Sequence, residues 1–240
     1  MSFARVYDNF MKYVDYDEWY NYIILNLEKL DKNIENVLEL GAGTGEFLIR
    51  FAKKYPNIIG IDINNEMLSL SKEKITKNNI KNIELIHEDM LNLQTNCEND
   101  LVYAFFDVIN YLKSIAELET LLKKVGENLK SGGIFFFDVA TPNLMKEMFP
   151  NGVFYDNRDD MTIFWEHYHN KKDKIEEISV TFFVLNDDGK YSRIDEYYEK
   201  KIFTNLELKK AIDKNNFKIL KIIKNNEFAG ERLFYIIEKI

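Results

Sequence analysis

The segment Asn36-Val37-Leu38-Glu39-Leu40-Gly41-Ala42-Gly43-Thr44-Gly45-Glu46-Phe47 sets the architecture of the chain. An apolar run of strand length enters a turn with three glycines in five residues, and a helical segment follows. The 240 residues hold only ten glycines and three prolines, against averages of about 7% and 5%. Such a cluster marks a place where the backbone bends unusually or lets a ligand approach closely. The helix start beyond it offers free N–H groups. Dinucleotide folds use G-x-G-x-x-G, which would put the third glycine at position 46, where this chain has Glu46. No Gly-Lys-Ser/Thr follows, so the phosphate-binding P-loop is excluded. The pattern is E-x-G-x-G-x-G; the plain alternative is a tight turn without a ligand.

Working outward, strands and helices alternate. Ile58 to Ile63, Ile83 to His87, Leu101 to Phe106 and Gly133 to Val139 read as strands. Phe47 to Lys54, Glu66 to Lys77 and Ala116 to Leu129 read as helices between them. This alternation predicts βαβ units and a parallel sheet. Upstream, Tyr7, Phe10, Met11 and Val14 repeat at helical spacing, as do Trp19, Tyr22 and Ile23, so residues from Phe3 to about Leu30 read as helical. After Pro142 the pattern changes. Met161 to Asn170, Ile175 to Leu185 and Tyr191 to Phe203 read as long strands, with a hairpin turn at Asn186-Asp187-Asp188-Gly189. Asn205 to Asn215 is a helix with a capping signal at Thr204 and Glu207. Phe217 to Lys224 and Arg232 to Glu238 are final strands, too close together for a helical crossover and therefore antiparallel. The expected organisation is one domain: a helical cap (1–33), a core (34–140 and 204–240) and an inserted antiparallel sheet (141–203).

Acids close three successive strands: Glu39, Asp62 and Asp89. In open α/β sheets ligands sit at the carboxyl ends of the strands. Asp62, about 20 residues beyond the glycines, is placed to accept both hydroxyls of a ribose, or else to cap the helix that follows. Asp89 can accept from an adenine amino group with Met90 packed on the ring; its plain alternative is a solvated loop acid.

Composition narrows the classes. Hydrophobic residues at 46% and aromatic residues at 14% supply a large core and exclude disorder. Cys97 is the only cysteine, so neither an intrachain disulfide nor a cysteine-based zinc site is expected, and no metal site is read. The amino terminus lacks a basic, then apolar, leader, and no apolar run approaches the length of a membrane span. A cytoplasmic, reducing setting is the expectation. A net charge of −8 argues against broad contact with a phosphate backbone.

These residues resemble the class I S-adenosylmethionine-dependent methyltransferases over nearly the whole chain. Glu39 to Gly45 looks like their first motif, Gly60-Ile61-Asp62 like the ribose acid and Asp89-Met90 like the adenine pair. Asp100-Leu101-Val102 with Asp107 to Leu112 looks like their fourth strand and the segment after it, and Gly132 to Val139 like the fifth. Phe3 to Asp8, Val14-Asp15-Tyr16, Trp19, Phe164-Trp165-Glu166 and Glu231 to Phe234 resemble a bacterial branch whose substrate is uncharacterised. The insert and carboxyl terminus are similar, more loosely, to aminosugar N,N-dimethyltransferases. The resemblance implies a Rossmann-like seven-stranded α/β sheet with an antiparallel last strand and an antiparallel lid. It implies S-adenosyl-L-methionine as cofactor and S-adenosyl-L-homocysteine as product. Gly41, Ala42, Gly43 and Gly45 would line the methionine part, Glu39 would hold its amino end, and Asp62 with Ile63 would hold the ribose. Asp89 and Met90 would meet the adenine, with Phe105, Tyr7 and Tyr13 near the sulfonium.

Methyl transfer needs a dedicated base only for a poorly nucleophilic or protonated acceptor. Candidates are Asp107, Glu166, His167 and His169, each with a structural role as its alternative. Tyr111, Trp165 and Arg232 are candidate acceptor-binding residues, Arg232 for an acidic group; Tyr168, Tyr197 and Tyr198 could line a lid pocket or simply pack. Asp107-Val108-Ile109-Asn110 stands where amide- or adenine-methylating relatives carry Asn/Asp-Pro-Pro-Tyr. The expected partner is therefore a small-molecule acceptor methylated at nitrogen or oxygen. An RNA methyltransferase and a catalytically silent cofactor-binding partner protein are the alternatives. The oligomeric state stays open, a dimer included.

Overall fold

The computed structural model describes residues 2–95, 98–170, 174–227 and 230–240; the reading of Cys97 lies outside them. Two helices come first, α1 (Phe3–Phe10) and α2 (Tyr16–Glu28). The alternating part is β1 (Asn36–Leu40), α3 (Glu46–Phe51), β2 (Asn57–Asp62), α4 (Asn65–Lys77), β3 (Ile83–His87), β4 (Asn99–Ala104), α5 (Ile115–Asn128) and β5 (Leu129–Ala140). Then come α6 (Pro142–Met148), β6 (Val153–Asn157), β7 (Met161–Asn170), β8 (Ile175–Leu185), β9 (Tyr191–Lys201), α7 (Asn205–Lys214), β10 (Phe217–Asn225) and β11 (Arg232–Lys239).

The first sheet has seven strands in the order β10-β11-β5-β4-β1-β2-β3. β1 to β5 run parallel, and β11 pairs antiparallel with both β5 and β10. This is the expected Rossmann-like sheet with its reversed last strand. The second sheet, β6-β7-β8-β9, is antiparallel throughout. Helices cover both faces of the first sheet. One face buries Leu118, Leu121, Leu122 and Val125 of α5 with Leu208, Ala211 and Ile212 of α7. The other buries Trp19, Ile23 and Leu27 of α2 with Phe47, Leu48 and Phe51 of α3. Each such fully buried Leu, Ile or Phe side chain contributes about 1.5–3 kcal/mol. α7 starts at a capping box between Thr204 and Glu207, as expected.

The structure refines two expectations. The helical stretch read from Phe3 to about Leu30 divides into α1 and α2, because the Asp15 carboxylate accepts the N–H groups of Asp17 and Glu18 at 3.0 and 2.8 Å and begins a new helix. The insert also holds a fourth strand, β6, and a short helix, α6, with Pro142 at its start and Thr141 as its cap. Val153, Phe154 and Tyr155 on β6 are all exposed, so the edge strand shows no alternation to read.

α1 connects the two sheets. Val6 is buried with Ile163, Ile178, Val180 and Phe182 of the second sheet, and the Phe3 and Phe10 rings lie 5.5 and 5.4 Å from Phe182. On its other side, Asp8 accepts a hydrogen bond from Thr44 of the glycine turn at 2.7 Å and pairs with Lys74 of α4 at 2.7 Å. α1 and β9 therefore stand over the carboxyl ends of β1 to β4.

Candidate functional site

A cavity of about 610 Å³ opens at those strand ends, within the size range of small-ligand sites. Its wall includes Glu39, Gly41, Ala42, Gly43, Asp62, Ile63, Asp89, Met90, Phe105, Tyr7 and Tyr111. The sequence reading had named all of these. Phe3, Tyr16, Glu46, Phe106, Lys113, Glu117, Glu196 and Tyr198 complete much of the remaining wall.

The glycine turn is shaped by two different needs. Gly45 has φ +82°, and a Cβ there would sit 2.3 Å from the Ser71 hydroxyl, so α4 packs where a side chain would be. Gly45 shapes the turn and is not part of the cavity wall. Gly43 has φ +52°, and a Cβ there would meet no protein atom within 4 Å. The missing side chain leaves room on the cavity side.

Asp62 ends β2 and accepts the Gly43 N–H at 2.7 Å on one oxygen and the Asn64 N–H at 2.8 Å on the other. A carboxylate has about four lone-pair sites, so each oxygen retains one for a ligand hydroxyl. Burial pushes its pKa up against those hydrogen bonds. Glu39 is 4% exposed and accepts from the Tyr103 hydroxyl at 2.8 Å. Burial raises its pKa well above the ordinary carboxylate value, with the Tyr103 hydrogen bond opposing. Asp89 accepts the Leu91 N–H at 2.9 Å on one oxygen. Burial likewise raises the Tyr7 phenol well above its usual range, so Tyr7 faces the cavity as a neutral ring.

After β4 the backbone enters the left-handed region twice running, at Phe106 (φ +63°) and Asp107 (φ +53°). For a phenylalanine this is a strained geometry, costing on the order of 1–3 kcal/mol. Buried charges hold it. The Asp107 N–H donates to Asp138 at 3.1 Å. Arg232 donates to Asp107 at 2.7 Å and to Asp138 at 2.6 Å, and Lys200 of β9 pairs with the other Asp107 oxygen. Burial alone would push the Asp107 carboxyl up, but the Lys200 and Arg232 charges outweigh it and bring its pKa below the ordinary value. For Asp138 burial prevails and the pKa is raised. The turn places the Phe106 ring on Trp19 at 4.5 Å and near Tyr16 at 5.5 Å, forming the cavity's aromatic wall.

Several sequence candidates sit elsewhere. Asp107 is consumed by two cations and does not line the cavity, and Arg232 is tied to two aspartates. Tyr13 is 75% exposed under the Arg158 guanidinium, away from the cavity. Trp165 packs against Phe10 and Phe149 at 5.6 and 5.4 Å. His167 and His169 share the Glu176 carboxylate, and Glu166 is exposed. Among the described residues no cluster of His, Cys, Asp and Glu is placed to hold a metal ion, and no helix is long and apolar enough to cross a membrane. Glu196 and Lys200 were missed by sequence reasoning. Both lie on a strand rich in charged residues, so nothing in the local pattern singles them out.

The methyltransferase domain profile matches residues 31–190. The protein named "Putative methyltransferase YqeM" of Bacillus subtilis is 30% identical over 244 residues, spanning 99% of this chain and 96% of its own. An S-adenosylmethionine-dependent methyltransferase from Clostridium acetobutylicum matches in structure with a TM-score of 0.86 at 27% identity, over 99% of this chain and 97% of that one. The chain belongs to the S-adenosylmethionine-dependent methyltransferases. The fold of this methyltransferase is also that of CalS10, an amino pentose methyltransferase from Micromonospora echinaspora solved with S-adenosylmethionine bound. That likeness has a TM-score of 0.77 at 17% identity, over 95% of this chain and 93% of that one. The cavity fits the cofactor on three counts. Gly43 leaves the space that a Cβ would fill. Asp62 has an acceptor site left on each oxygen. Aromatic rings, which attract cations, face the same space from Tyr7, Tyr16 and Phe106.

Proposed function

We propose that this methyltransferase methylates a nitrogen or oxygen of a small molecule held beneath α1 and β9. The observation that carries the reading is the composition of the cavity. A glycine-and-acid end continues into an aromatic end roofed by the second sheet, and Lys113 is the one basic residue in its wall among the described residues. Lys113 is itself paired with Glu199 at 2.8 Å. A phosphate backbone would meet mainly carboxylates here, which disfavours RNA. The open aromatic end disfavours a silent cofactor-binding protein.

In this reading Glu39, Gly41, Ala42 and Gly43 receive the methionine part of the cofactor, and Gly45 shapes their turn. Asp62 and Ile63 receive the ribose, and Asp89 and Met90 the adenine. Bound S-adenosylmethionine supplies an electrophilic methyl group on a sulfonium. Tyr7, Phe105 and Phe106 enclose that methyl and exclude water, while Tyr111 and Tyr198 orient the acceptor's lone pair toward it. Tyr13, Trp165 and Arg232 drop out of the binding role because their side chains are engaged elsewhere. Asp107, neutralised by two cations, positions the turn instead of removing a proton.

The test is methyl-labelled S-adenosylmethionine incubated with a metabolite extract and, separately, with total RNA. Label entering the low-mass fraction supports the reading. Label confined to RNA contradicts it.

A further inference from the structure

Carboxylates line much of the cavity, and nearly all are already engaged. Glu39 accepts from Tyr103, Glu46 from Lys74 and Arg50, and Asp62 and Asp89 from backbone N–H groups. Glu196 differs. It lines the cavity from β9, and burial raises its pKa with no opposing partner. No hydrogen bond or ion pair satisfies it among the described residues. Two positions along the same strand face, Tyr198 also lines the cavity, and its hydroxyl is buried without a hydrogen-bond partner. Both residues pair across to the buried Val180 and Ile178 of β8, so the strand holds them against the cavity.

We propose that the methyl acceptor is a small amine, held by the Glu196 carboxylate and the Tyr198 hydroxyl at the aromatic end of the cavity. The proposal rests on the small-molecule reading above and narrows it. A half-buried carboxylate that no cation neutralises is placed to hold a protonated amine through a charge-assisted hydrogen bond. The Tyr7 ring in the same wall attracts cations as well. A carboxylate or phosphate acceptor would meet like charge at Glu196, with Lys113 held by Glu199. The ammonium first gives a proton to Glu196, and from this half-buried position the proton passes to solvent. The freed nitrogen lone pair then forms the N–C bond as the S–C electron pair stays with sulfur. The nitrogen becomes cationic and releases a second proton to water on departure.

The experiment uses the intact chain, methyl-labelled S-adenosylmethionine and a metabolite extract, untreated or with its amines acetylated by an N-hydroxysuccinimide ester. Low-mass label should appear with the untreated extract and vanish after acetylation. Glu196→Gln should lower kcat/KM for the amine fraction at least about tenfold, and Tyr198→Phe should lower it less. Both variants should retain the wild-type rise in melting temperature with S-adenosylhomocysteine, which shows them folded. Low-mass label that survives acetylation overturns the amine assignment while leaving the small-molecule reading intact. Wild-type kinetics in Glu196→Gln overturns the residue assignment. Label only in RNA, or none in any fraction despite cofactor binding, overturns both readings.

Discussion

Asp62 shows what one residue does at two levels. It fastens the glycine turn through the Gly43 N–H and keeps acceptor sites for a ligand. Hydrogen bonds to a charged group are worth about 1.5–3 kcal/mol each. Asp62→Ala should therefore weaken S-adenosylhomocysteine binding on the order of 100-fold, as read by calorimetric titration; unchanged affinity would remove the ribose assignment. Glu39 gives the opposite balance of stability and function. Its folded-state pKa lies well above the ordinary value because it is buried. The wild type therefore loses stability as pH rises from about 4, the unfolded value, toward the folded one. Glu39→Gln keeps an acceptor for Tyr103 without the charge. Its melting temperature should exceed that of the wild type at neutral pH, with the gap closing toward pH 4, while cofactor affinity falls. A gap that widens on acidification would contradict the burial argument. Glu39, Asp62 and Asp89 were legible because each lies at or beside the carboxyl end of a strand, a position that local patterning marks. Glu196 was not, because β9 reaches the cavity only through long-range packing. Arg232 and Trp165 were placed on the right strands, but their partners, Asp107 with Asp138 and Phe10 with Phe149, lie far away in sequence.

At the scale of elements, Lys200 links β9 of the second sheet to the turn after β4, while Arg232 links β11 to that turn and to β5. Removing one partner of a buried charge pair costs about 3–5 kcal/mol. Lys200→Met should therefore lower the melting temperature on the order of 10 °C. The Asp107→Asn and Lys200→Met double variant should cost less than the two single changes summed. Strict additivity in denaturant melts would show that the two sites are not coupled. The βαβ alternation, the hairpin at Asn186 to Gly189 and the capping box at Thr204 were readable, since each follows from spacing over a few residues. The break between α1 and α2 falls between the two apolar repeats, Tyr7 to Val14 and Trp19 to Ile23, where the Asp15 cap begins the second helix. The exposed edge strand β6 was missed because it buries no regular face.

For the whole molecule, the account joins a seven-stranded sheet, a second sheet and one bridging helix around a cavity of about 610 Å³. A ligand that binds the folded state at 100 times its Kd adds about 2.7 kcal/mol. S-adenosylhomocysteine at that excess should therefore raise the melting temperature by roughly 5–10 °C, and NAD should leave it unchanged. A shift with NAD and none with S-adenosylhomocysteine would contradict the loss of the third glycine to Glu46 as the mark that separates the two cofactors. The most direct measurement is a crystal structure of the S-adenosylhomocysteine complex. The account predicts the ribose hydroxyls on Asp62, the adenine beside Asp89 and Met90, and the sulfur facing Tyr7 and Phe105, with open space toward Glu196 and Tyr198. Ligand density outside this cavity, or an adenosine turned away from Asp62, would contradict it.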